Sequence, residues 1–68
     1  MEVLAAIQIL NAALDLGVNG LSVAQKIGPL IEQSIKSGQP IPAADWKTVM
    51  DEADQADAKL AADIRAQS

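Results

Sequence analysis

The stretch VLAAIQILNAAL, residues 3–14, carries no charge, and it limits what this chain can fold into more than any other segment. Val3, Ile7, Leu10, Leu14, Val18 and Leu21 recur at steps of three or four, so they line one face of a helix. Gln8, Asn11, Asp15, Asn19 and Ser22 follow the same spacing and form a narrow polar stripe. Ile9 and Leu16 belong to neither set and fall on the far side. A helix that is apolar around most of its circumference is buried on more than one side. The expectation is an apolar surface larger than the chain can cover by itself.

The chain has 68 residues, enough for one small helical domain whose core yields only a few kcal/mol. Chains of this size gain stability from disulfides, metals or partner subunits. With no cysteine and no histidine, thiolate and imidazole chemistry is excluded, and oligomerisation is the remaining support. Trp46 is the single aromatic residue, so the core is aliphatic and rich in alanine, a composition that favours helix. The net charge is −4, with no basic cluster in either half. That balance argues against direct nucleic-acid binding and against adhesion to an anionic membrane. The start, Met-Glu-Val, has no positive signal region. Asp15, with Gln8, Asn11 and Asn19, also makes a membrane span costly.

Gly17, Asn19-Gly20 and Gly28-Pro29 are breaker signals. Both stripes nevertheless keep their phase across residues 17–21. The favoured reading is therefore one long helix, bent at Pro29, that runs to Lys36 with Gly38 as its terminator. The alternative ends a first helix near Leu16 and restarts at Ser22, with Ser22 and Gln25 as a capping box. Residues 37–42, Ser-Gly-Gln-Pro-Ile-Pro, form a loop, and Pro42 is placed to open the next helix. Residues 43–66 form a second helix, with Trp46, Val49, Met50, Ala53, Leu60 and Ile64 on one face.

The expected fold is all-α. It is an antiparallel helical hairpin with a long, Pro-kinked N-terminal helix, assembled as a homo-oligomer; a compact three-helix bundle is the alternative. Pairing the helices about Gln39 leaves roughly the first ten residues, about 15 Å of helix, unpaired. Such side chains stabilise by about 1.5–3 kcal/mol each when buried. Val3, Ile7, Ile9, Leu10 and Leu14 are therefore the candidate oligomer interface.

No catalytic constellation is visible. The hydroxyls of Ser22, Ser34, Ser37, Thr48 and Ser68 have no histidine or cysteine to activate them. The acids Asp51, Glu52, Asp54 and Asp57 are spaced for a solvated helix face and lack the pattern of a calcium loop. The expectation is a non-enzymatic protein without cofactor or metal. Two residues stand out as candidates for partner binding. Asp57 falls inside an apolar stripe, between Ala53 and Leu60. It is either relieved by water or by a partner such as Ser22 or Lys26, or it is a polar anchor for a partner or small ligand. Trp46 is either a core plug near the turn or a binding hot spot.

The segment SGQPIPAADWKTVMDEADQADAKLAADI, residues 37–64, resembles the C-terminal half of small helical proteins encoded by bacteriophages. In those proteins a Gly/Pro loop leads into an acidic, Ala-rich helix ending in an L-x-x-x-I pattern, here Leu60 and Ile64. The resemblance implies a viral product in a bacterial cytoplasm, and it carries over no catalytic residue. It suggests a protein that binds and antagonises a host defence or regulatory factor, or sequesters its small signalling ligand. A structural or assembly component of the virus particle is the second possibility, and a small membrane-active helical protein the third.

Overall fold

A computed structural model of the chain describes residues 2–67; Ser68, one of the candidate hydroxyls, lies outside them. Four helices follow one another: α1 (Val3–Asp15), α2 (Val18–Ser37), α3 (Ala43–Ala56) and α4 (Ala58–Gln67). The all-α class is as expected. The long first helix is not, because the chain breaks at Leu16-Gly17. The Leu16 N–H donates to the Ala13 carbonyl at 3.2 Å and the Gly17 N–H to the Leu14 carbonyl at 3.1 Å, closing α1 in a tight turn. Gly17 then takes φ 67 and ψ −131, a conformation open in practice only to glycine. Periodicity that kept its phase across this turn gave no warning of the break. Gly17→Ala should cost about 1–3 kcal/mol of stability, read from urea melts followed by Trp46 fluorescence. A melt unchanged from wild type would show that the turn has another conformation.

The break folds α1 back onto α2. Gly20 makes the close approach possible: a Cβ there would overlap the Ala13 carbonyl oxygen and come within 2.6 Å of its carbonyl carbon. The face of α1 turned inward is Ala6, Ile9 and Ala13, with Val3, Ile7, Leu10, Ala12 and Leu16 packed at its edge. Ile9 and Leu16, assigned above to the far side, therefore lie on the core side. The first ten residues are not left unpaired, since α1 is covered by α2 and also by α4.

With 20 residues, α2 is about 30 Å long and matches the longest dimension of the molecule, 30 Å. It is the element on which α1 and α3 pack. Gly20, Val23, Ala24, Ile27, Ile31 and Ser34 form its buried stripe at three- and four-residue steps. Pro29 lies within α2 on an exposed turn, as does Gln25, whose carbonyl would otherwise accept the missing N–H. At the end of the helix Gly38 adopts the left-handed conformation, φ 71, and its N–H donates to the Ser34 carbonyl at 3.0 Å. The buried Ser34 hydroxyl donates to the Gln39 carbonyl and ties the loop down. Ile41 plugs the core from that loop.

The second expected helix is two helices, split at Asp57. α4 turns back so that Leu60, Ala61 and Ile64 enter the core beside Val49 and Ala53 of α3. Its contacts with both α3 and α1 close the four helices into a ring. The arrangement is therefore nearer the compact-bundle alternative than the open hairpin, with one helix more than that alternative supposed.

Candidate binding surface

The core uses most of the large aliphatic residues, and those it leaves out define the surface. Leu14, Val18 and Leu21 are 54%, 88% and 48% exposed. They bracket the Leu16-Gly17 turn at the corner where α1 passes into α2. Their neighbours in sequence include the exposed polar residues Asn11, Asp15, Asn19 and Gln25, so exposed apolar side chains alternate with mostly uncharged polar ones around this turn. The other two exposed large apolar residues among those described are Leu4 and Ile35. Ile35 lines an open groove of 420 Å³ with Glu2, Val3, Ser34, Gly38, Gln39 and Pro40.

The proposed oligomer residues are thus divided. Ile9 belongs to the core of its own chain. Val3, Ile7 and Leu10 are half-buried at its margin, and Leu14 alone is largely exposed. Val18 and Leu21 shared the apolar stripe with these residues, but their exposure became apparent only once Gly17 broke the helix.

Trp46 is 5% exposed and sits in the core cluster, so the structure gives it the role of a plug. Asp57 is half-buried, and its role is local. Its Oδ1 accepts the N–H of Lys59 at 2.9 Å and that of Leu60 at 3.1 Å, which caps the start of α4. That accounts for a carboxylate within an apolar stripe without Ser22, Lys26 or an outside partner. The sequence signal was present, since aspartate is among the preferred capping residues, but no glycine or proline marked a helix boundary there.

No known family, curated protein or solved structure matches this chain.

Among the described residues two ion pairs lie on the surface. Lys36 Nζ lies 3.0 Å from Glu32 Oε1 along α2, and an Arg65 guanidinium nitrogen lies 2.6 Å from Asp54 Oδ1, joining α4 to α3. All four side chains are well exposed, and such pairs contribute about 1 kcal/mol at most. Among the described residues no group of three or more carboxylates is placed to hold a metal ion, and no helix is long and apolar enough to cross a membrane.

Proposed function

We propose that this chain acts by association: a non-enzymatic, phage-type protein that occupies a bacterial host factor, or sequesters its signal, through the apolar corner of Leu14, Val18 and Leu21. The observation that carries this reading is the exposure of Val18, 88%, between two other large apolar side chains. Covering the three would stabilise a complex by about 4 kcal/mol. A symmetric pair of copies would cover two corners, roughly 8 kcal/mol in total, against an association cost of about 4–15 kcal/mol. Self-association through the corner alone is accordingly weak. A partner that adds its own apolar groove and hydrogen bonds gains more.

The test compares the tagged chain with Val18→Asp in capture from bacterial lysate, with mass spectrometry of proteins and small molecules. Val18 is outside the core, so the variant should keep its helical spectrum and melting temperature. It should lose a specific bound partner by about thirtyfold, as expected at a hot spot. Equal capture by both chains, or recovery of the bait alone, would overturn the reading.

A further inference from the structure

The junction between α3 and α4 contains almost no chain. Asp57 alone separates Ala56 from Ala58, with extended backbone at φ −160 and ψ 119. Helical bonding is intact on either side of it. The Asp57 N–H donates to the Ala53 carbonyl at 2.8 Å, and the Ala61 N–H donates to the Asp57 carbonyl at 3.1 Å. A straight helix would add bonds from the N–H groups of Ala58, Lys59 and Leu60 to the carbonyls four residues earlier. The bend forfeits these, and the Asp57 carboxylate replaces two of them, at Lys59 and Leu60. On both sides the residues are good helix formers, and Ala53, Leu60 and Ile64 would keep a common face if the helix were straight.

Straightening therefore costs little within the junction itself. Its cost lies in the contacts α4 makes with α1 and α3. It would uncover the inner face of α1 and expose Leu60, Ala61 and Ile64. A second copy of the chain presents the surface that α4 already fits, so every lost contact could be remade between chains, including Arg65 with Asp54. We propose that Asp57 is a hinge and that two copies of this chain dimerise by exchanging α4, with α3 and α4 straightened into one helix in each. Exchange of an identical element is a low-cost route to a dimer. The inference goes beyond the function proposed above and does not use the Leu14–Val18–Leu21 corner.

The test uses the absence of native cysteine. Ala12 and Asp63 line one cleft between α1 and α4. In an Ala12→Cys/Asp63→Cys chain treated with a bis-maleimide long enough to span the cleft, the closed monomer is linked within the chain, whereas an exchanged dimer is linked between chains and runs as a dimer on denaturing gels. The chain is refolded at millimolar concentration alone, with Asp57→Ala, and with Ala58→Pro. Losing the cap should favour the straight form by about fivefold per hinge, roughly twenty-five-fold per dimer. Ala58→Pro should abolish the dimer. Proline suits the first position of α4 after an extended residue, and it cannot sit inside a straight helix. Asp57→Ala/Ala58→Pro should return to monomer.

A monomeric Asp57→Ala chain, dimers linked only within chains, or equal dimer in Ala58→Pro and its parent would each overturn the proposal. If Asp57→Ala does not fold, the comparison between Ala58→Pro and its parent decides. Val18→Asp should leave the interchain link intact, so failure of the corner reading and failure of the hinge are told apart.

Discussion

Gly20→Ala is expected to destabilise the chain strongly and to lower its melting temperature. In an isolated helix the same change would stabilise by about 1 kcal/mol, because alanine is the better helix former. Here the sign reverses, because the new methyl group would occupy the position of the Ala13 carbonyl. That obstacle is backbone, so no rotamer change relieves it, and α1 must move away from α2 along its length. Overpacking of this kind costs about 3 kcal/mol, against a total stability of roughly 3–10 kcal/mol for a chain of this size. Circular dichroism and thermal melting measure the effect. A Gly20→Ala chain that melts at or above the wild-type temperature would mean that the helices do not approach in this way.

Trp46→Ala is expected to cost about 3–5 kcal/mol, the range for removing a large aromatic side chain from a packed core. Trp46 supplies the bulk at the loop end of α3, with Val49 and Ala53 following on the same face. Its loss leaves a void that the aliphatic neighbours cannot close without moving. The readout is chemical denaturation followed by circular dichroism, since the variant has no tryptophan to report by fluorescence. This measurement also separates the two roles open to Trp46 in the sequence. A hot spot on the surface would lose binding and keep stability, so a change below about 1 kcal/mol would sink the core assignment.

The second half of the chain was the more legible. The inward face of residues 43–64 could be read from spacing, because charged residues occupy the other positions and leave one apolar stripe. The loop, expected at 37–42 from its prolines and Gly38, begins one residue later, because α2 runs to Ser37. α1 defeated the same method because it is apolar on nearly every side, so hydrophobicity could not say which side faces inward. Size accounts for part of the choice: the small Ala13 lets α1 lie close to Gly20 and the small Ala6 is fully buried beside Ile9, while Leu14 is left outside. The two helix breaks differ in how far they could be read: the one at Gly17 carried a breaker signal and was the alternative reading, with its restart at Ser22 instead of Val18, whereas the one at Asp57 carried none. At Gly17 the break needs a backbone conformation that the sequence permits without requiring. At Asp57 it needs a side chain to take over backbone bonds, at a position where the apolar pattern continues undisturbed. The candidate surface inherits these errors, because Val18 and Leu21 become neighbours of a corner only when the first break is known.

The ring of helices has a consequence for how the protein is made. α1 leaves the ribosome before α2, α3 and α4, yet one of its two covering elements, α4, follows only after both of the others. At about 5–20 residues per second, several seconds pass between Ile9 and Ile64. During that interval the nascent chain can bury α1 only partly, against α2. The fold thus closes only once α4 has emerged, and the most apolar helix waits longest for its cover.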